Sequence, residues 1–325
     1  MEQLRAWGFT AAPAPTPALS KNRTLLCEAP GGGRVLVKLA TGYGQRGVHR
    51  EGRILAALEA VARPPLRLPR LAAFSPDLGM LAVEWLDGAS TAFDHHRTTR
   101  RYDPELAERL GRALGALHAR TRADPARFDP KDALADRFDL LESLLRPRPD
   151  FYARQPRAAL HLVSRLQQDG AALRGLTALS EAERSCLIHG DCKQSNVLLA
   201  GGEPVLIDWE LSHWGDGARD VGSLAADYAA GWLAPEHESE VLPQPDLQRF
   251  LSALLRAYEQ ERGDASPSPD FPERVVRWCG LALVVAAYGE AHFLRELRER
   301  GRRLLDFGQY LLAQPEVWKE KLFLP

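Results

Sequence analysis

Four cysteines in 325 residues are few, and they are scattered at Cys27, Cys186, Cys192 and Cys279. No two have the paired spacing that a zinc knuckle or a dithiol redox centre needs, so a reduced, cytoplasmic chain is expected. Cys186 and Cys192 bracket His189 and Asp191 but stand six apart, farther than thiolate zinc ligands usually pair. An excess of one charge is missing too: 42 Lys and Arg meet 43 Asp and Glu, a net of −1. Without a cationic face the chain lacks the long-range attraction that nucleic acid or an anionic membrane requires, so neither is an expected partner. Long apolar runs are absent as well, since the longest, Leu281 to Tyr288, is far too short to span a bilayer. Met1 to Arg5 leads into prolines rather than an apolar stretch, so no signal peptide is expected. What is present, 45% hydrophobic and 26% charged residues, is ordinary for a folded chain of about two domains.

Periodicity changes along the chain. Residues 11–18 read as a proline-rich connector, and Thr24 to Glu28 and Arg34 to Leu39 read as strands joined by a Pro30-Gly31-Gly32-Gly33 hairpin turn. Helical spacing over His49 to Ala60 is stopped by Arg63-Pro64-Pro65, and a further strand pair is expected at Leu71 to Phe74 and Met80 to Trp85. Past Gly88 the pattern turns mainly helical. Asp103-Pro104 opens a helix with a Leu106, Leu110, Leu114, Leu117 stripe, one helical stretch is expected from about Ala158 to Leu173, and three more over Leu247 to Tyr258, Val275 to Phe293 and Leu304 to Leu312. Residues 1–88 and 89–325 are therefore the expected domains of an α+β chain.

The chemistry concentrates in Leu187-Ile188-His189-Gly190-Asp191-Cys192-Lys193-Gln194-Ser195-Asn196, followed by Ile207-Asp208-Trp209-Glu210. Asp191 and Asn196 are five apart. A hairpin expected around Ala200-Gly201-Gly202-Glu203 would fold Asp208 back beside Asn196. An amide oxygen and a carboxylate are hard ligands that suit Mg2+ together with substrate phosphates. Asp191 is then free to orient an attacking hydroxyl.

This arrangement resembles the catalytic loop and metal-binding Asp of protein-kinase-like enzymes, and its HGD and IDWE forms resemble the aminoglycoside phosphotransferase and choline kinase branch. Resemblance extends to Gly215-Asp216, Asp220-Val221-Gly222, Val37-Lys38, Arg50-Glu51, Val83 to Gly88 and Leu114 to His118, in family order from about residue 20 to 232. It implies a bilobal fold with a small N-lobe, an antiparallel sheet plus one helix, and a larger, mainly helical C-lobe. It further implies an ATP (or GTP) and Mg2+-dependent kinase moving a γ-phosphate to a hydroxyl. By the resemblance Asp191 is the catalytic carboxylate and Lys193 neutralises charge on the transferring group. Asn196 and Asp208 hold the metal, Lys38 meets the nucleotide phosphates and pairs with Glu51 in preference to Glu59, and Glu84 and Leu86 form the hinge. Two departures stand out. No G-x-G-x-x-G precedes Lys38, which moves the expected phosphate loop to a turn containing Ser20 and Asn22, and Lys193 is a residue more usual in kinases acting on Ser/Thr. His189 and Asp220 read as supports of the loop, Asp220 as a helix N-cap.

The acceptor is less constrained. Residues 209–325 hold 19 acidic against 13 basic residues and residues 89–188 hold 14 against 17, opposed balances that do not select a polycation. The run from HGDCKQSN through DWELSHWGD also looks like phosphotransferases that modify Ser/Thr of ribosomally made precursor peptides, which would bring a partner lyase. Small-molecule and precursor-peptide acceptors therefore both stand, and a pseudokinase scaffold is the non-enzymatic alternative.

Overall fold

Alternating burial builds the first sheet. Helix α1 (Glu2–Ala6) leads to β1 (Thr10–Ala11), β2 (Arg23–Glu28), β3 (Arg34–Leu39), helix α2 (Gln45–Leu58), β4 (Leu71–Ser75) and β5 (Met80–Glu84). The structure is a computed structural model and describes residues 2–11, 23–41, 44–128, 140–146, 148–235, 243–263 and 270–323. Most of the expected proline-rich connector, with Ser20 and Asn22, lies outside the described residues. The strands pair antiparallel in the order β1-β2-β3-β5-β4. Gly31, Gly32 and Gly33 take φ of 86, 95 and 88°, a left-handed run natural to glycine, and this turns β2 back onto β3. Val35 and Val37 point to one face and meet Leu4, Phe9 and Met80 there. Period-two alternation sends Lys38 to the other face, beneath α2.

Val48, Glu51, Leu55 and Leu58 share the buried stripe of α2, so the helix carries a carboxylate in its core face directly over Lys38. The chain after α2 is tied down from elsewhere. The guanidinium of Arg120 donates to the carbonyls of Val61 (3.1 Å), Arg63 (2.5 Å) and Pro64 (2.9 Å).

After β5 come β6 (Ser90–Thr91), α3 (Ala92–Thr99) and α4 (Pro104–Arg122), the last opened by Asp103, which accepts the Glu105 N–H. Leu106, Leu110, Leu114 and Leu117 are the buried stripe of α4. At about 1.5–3 kcal/mol per buried leucine, this face docks α4 regardless of its modest local preferences. Short helices α5 (Pro125–Phe128), α6 (Leu140–Leu145) and α7 (Pro149–Tyr152) precede α8 (Arg157–Gln168) and α9 (Gly170–Ser180). The single helix expected over Ala158 to Leu173 is thus two. Asp169 divides them because its carboxylate accepts from Ala171 and Ala172 N–H, both at 3.0 Å, and starts a new helix.

Next come β7 (Cys186–Ile188), β8 (Val197–Ala200), β9 (Glu203–Leu206) and β10 (His213–Gly215). β8 and β9 form the expected hairpin, while β6 pairs with β8 and β10 with β7. Helices α10 (Ala218–Leu233), α11 (Gln244–Arg262), α12 (Phe271–Phe293), α13 (Glu299–Ala313) and α14 (Pro315–Leu322) complete the chain. One buried cluster joins the two parts, running from Leu58 and Leu81 to Leu114, Tyr228 and Phe250. Among the described residues no helix is long and apolar enough to cross a membrane.

Candidate active site

Strand β7 delivers residues 189–193 to the floor of a cleft. The chain then makes a 3-10 turn over Gln194–Asn196, runs out along β8, and returns along β9 to Asp208. The Ile207 N–H donates to the Asn196 carbonyl at 3.0 Å and closes this loop. Five residues of separation therefore bring Asn196 onto Asp191. Its Nδ2 donates to the Asp191 carbonyl and to Asp191 Oδ2, each at 2.9 Å. Lys193 Nζ reaches the same Oδ2 at 2.8 Å.

A second group forms beside the first, with Asp208 in the field of Lys193. Lys38 Nζ lies 2.9 and 2.8 Å from the two oxygens of Glu51 and 2.7 Å from Asp208 Oδ1. Glu59, the rival partner, is exposed at the end of α2. Asp208 sits in the left-handed region at φ 66°, a conformation that turns its carboxylate out of the strand path toward Lys38. Burial disfavours the Lys38 ammonium, but Glu51 and Asp208 outweigh it and hold the lysine above its ordinary pKa. Burial likewise works against the Asp208 carboxylate, and Lys38 overrides it, so Asp208 stays below the usual carboxylate range. Both groups are charged near neutral pH.

The floor is held by fully buried partners. Asp220 accepts from the His189 N–H (2.7 Å) and the Gly190 N–H (2.9 Å), and its Oδ2 meets His118 Nε2 at 3.1 Å. His118 Nδ1 faces the Tyr258 hydroxyl at 2.9 Å. Gly190 has φ of 79°, and a Cβ there would stand 2.4 Å from the Leu211 carbonyl, so a side chain is excluded. His189 is itself a support. Its Nε2 donates to the Ile207 carbonyl (2.8 Å) while Nδ1 accepts the Asp191 N–H (3.3 Å). The expected N-cap role of Asp220 is corrected: Gly217 precedes α10, and Asp220 is the third residue of the helix. From there its side chain reaches the loop rather than its own helix end.

Glu84 and Leu86 stand at and just beyond the end of β5. Glu84 Oε2 accepts the Arg70 N–H at 3.2 Å, and neither residue lines the cleft. The cleft holds about 1500 Å3 and has Asp191 and Lys193 on its floor, Arg46 and Arg50 of α2 on one side and Trp278, Ala282 and Val285 of α12 on the other. Three further residues take part in ways the sequence did not show. Asp227 accepts the Gln194 N–H at 2.8 Å, Asp216 accepts from Trp278 Nε1 and Arg274 Nε at 3.1 Å each, and Arg50 donates to the Glu210 carbonyl at 3.0 Å. Arg50 and Asp216 stood in matching segments beside Glu51 and Gly215, but their partners are distant in sequence.

Oxygen donors for a divalent cation are present. Asn196 spends its Nδ2 on Asp191, and Asp208 gives Oδ1 to Lys38, so Asn196 Oδ1 and Asp208 Oδ2 have no protein donor among the described residues. No three His, Cys, Asp or Glu among the described residues group as metal ligands. One amide and one carboxylate fit a hard cation that takes its other ligands from water and phosphate.

A sequence model of the phosphotransferase enzyme family matches residues 15–270. The chain belongs to that family. No curated protein sequence matches it. Solved structures similar to this phosphotransferase include a choline/ethanolamine kinase family protein from Mesorhizobium loti, 18% identical, with a TM-score of 0.57 over 98% of this chain and 93% of the other. A choline kinase from Streptococcus pneumoniae is 15% identical at a TM-score of 0.56, covering 96% and 97% of the two chains. An amicoumacin kinase in complex with AMP-PNP, Ca2+ and its ligand is 15% identical at 0.59, covering 94% and 88%. The phosphotransferase thus has the protein-kinase-like fold, a small antiparallel sheet lobe and a mainly helical remainder, and it is an enzyme rather than a scaffold.

Proposed function

We propose that this phosphotransferase moves the γ-phosphoryl group of ATP, with Mg2+, onto a hydroxyl of a small molecule held between residues 1–88 and 89–325. The observation that carries the reading is a pair of neighbouring groups: Asp191 with Asn196 and Lys193 at the cleft floor, and Lys38 bridged between Glu51 and Asp208, whose carboxylate lies in the field of Lys193. The complex of a similar kinase with AMP-PNP and Ca2+ supports nucleotide and divalent-metal use. Asp191 orients the acceptor hydroxyl and takes its proton. Lys38, kept charged by two carboxylates, meets phosphate oxygens, and Lys193 offsets charge on the transferring group. Asn196 and Asp208 would hold the cation, which neutralises phosphate charge when bound. Glu84 and Leu86 are assigned to the hinge against the base, and Ser20 and Asn22 to the phosphate turn. Four buried free thiols suit a reducing cytoplasm.

The test is transfer of labelled γ-phosphate from ATP or GTP with Mg2+ to hydroxylated small molecules and, separately, to Ser/Thr peptides. Small-molecule labelling that falls about 10²-fold or more in Asp191→Asn, with nucleotide still bound, is expected. Labelling confined to peptide would move the acceptor to a precursor peptide and call for a lyase. Failure of transfer to both pools would refute the reading.

A further inference from the structure

The wall opposite Asp191 is unusual for a helix of this length. Along α12, Trp278, Ala282, Val285 and Ala286 recur at helical spacing and all line the cleft: Trp278 is buried and Ala282 half-buried at the core end, while Val285, 44% exposed, and Ala286 stand open. Trp278 is fixed in place. Its indole N–H is held by Asp216 at 3.1 Å, and the Arg219 guanidinium lies 5.2 Å from its ring centroid. An added Cβ at Gly289, one turn beyond Val285, would meet nothing within 4 Å. The stripe is therefore an apolar wall, open at its Val285 end, in the same cavity as the candidate catalytic carboxylate.

The charge around it leans positive. Five Lys or Arg side chains line the cleft against three carboxylates, and Arg219 and Arg300 flank the α12 wall itself, Arg300 lying 3.7 Å from Glu290. Each carboxylate is already engaged: Asp191 by Lys193 and Asn196, Asp227 by the Gln194 N–H, and Glu210 by the field of Arg50. Burial pushes the Asp227 carboxyl above its usual range, which makes it a poorer anchor for a cation. Among the described residues, only Glu210 and Asp227 of the 19 acidic residues in 209–325 line the cleft.

We infer that the cleft selects an acceptor alcohol with an apolar body, laid on the Trp278–Val285 face of α12, and without positive charge. The inference rests on the proposed phosphotransfer, because it places the acceptor beside Asp191. Its test reads binding rather than transfer. With AMP-PNP and Mg2+ present, calorimetry compares three probes of one chain length: ω-hydroxyoctanoate, octanediol and ω-aminooctanol. The carboxylate and the diol are expected to bind at least about tenfold more tightly than the amine. Val285→Asp is expected to reverse that order, and Ala282→Trp, which fills the cleft without adding charge, to weaken all three while leaving AMP-PNP affinity unchanged. Equal or tighter binding of the amine by the parent enzyme, or probe affinities unmoved by both substitutions, would overturn the inference. Because AMP-PNP does not transfer, loss of the catalytic reading shows instead as bound nucleotide with no labelled product in the ATP experiment.

Discussion

Replacing Asp220 with alanine removes the acceptor for three buried donors at once. Asp220 and His118 are both fully shielded, and the His189 and Gly190 N–H groups have no other acceptor among the described residues. A buried donor left without its partner costs about 1–3 kcal/mol, and water entering the vacated space recovers part of that, so the loss is about 3–6 kcal/mol. Unfolding entropy of about 2.1 cal/mol/K per residue gives roughly 0.7 kcal/mol/K for this chain, which converts the loss to a Tm lower by about 4–9 °C. Scanning calorimetry measures it directly. The pH dependence supplies a second reading with a definite sign. Burial alone would raise the Asp220 pKa, but His118 and the loop N–H groups hold it below the ordinary value. A carboxylate whose folded pKa is depressed stabilises above its unfolded pKa, about 3.9, and loses that contribution as pH falls through the folded value. The gap between parent and Asp220→Ala should therefore be steady from neutral pH to about 5 and shrink below about 4. A Tm change under about 1 °C, or a gap that widens with acid, would refute the assignment of Asp220 as the anchor of the loop.

Lys38→Met should lower stability by about 3–5 kcal/mol because it strands the buried Glu51 carboxylate, and the double variant Lys38→Met/Glu51→Met should be less destabilised than the sum of the single changes, as a denaturation cycle would show. The same single variant should reduce phosphoryl transfer at saturating nucleotide, read by product formation. Gly111→Ala would place a Cβ 2.3 Å from the Leu254 carbonyl where α4 crosses α11, so urea unfolding should show a loss of about 1–3 kcal/mol.

The site was legible where its parts are close in sequence or carry a repeating pattern. Asp191 and Asn196 meet because a single 3-10 turn separates them, and the β8–β9 hairpin is announced by its glycines. Lys38 and Glu51 meet because a strand of period two and a helix of period 3.6 each present one charged residue to the interface between them. The support beneath the loop was legible only in part. Asp220 read as a support and His118 stood in a matching segment, but the contacts that join them to Tyr258 link three helices far apart in sequence, and Tyr258 carries no local mark. β6 and β10, two and three residues long, are too short to show alternation and exist through their pairing alone. The acceptor wall was hidden for another reason. Trp278, Ala282 and Val285 look like any helix core, and only tertiary packing reveals that they line a cleft that Val285 leaves open.

The guanidinium of Arg120 also bears on control of the enzyme. It grips three carbonyls just past α2, while Arg50, inside α2, grips the carbonyl of Glu210 just past Asp208. Both ends of the helix that carries Glu51 are thereby bolted to the larger lobe. Drawing Glu51 away from Lys38, the obvious way to turn such an enzyme off, would require breaking these attachments together. The two arginines thus make the position of Glu51 a property of both halves of the chain rather than of α2 alone.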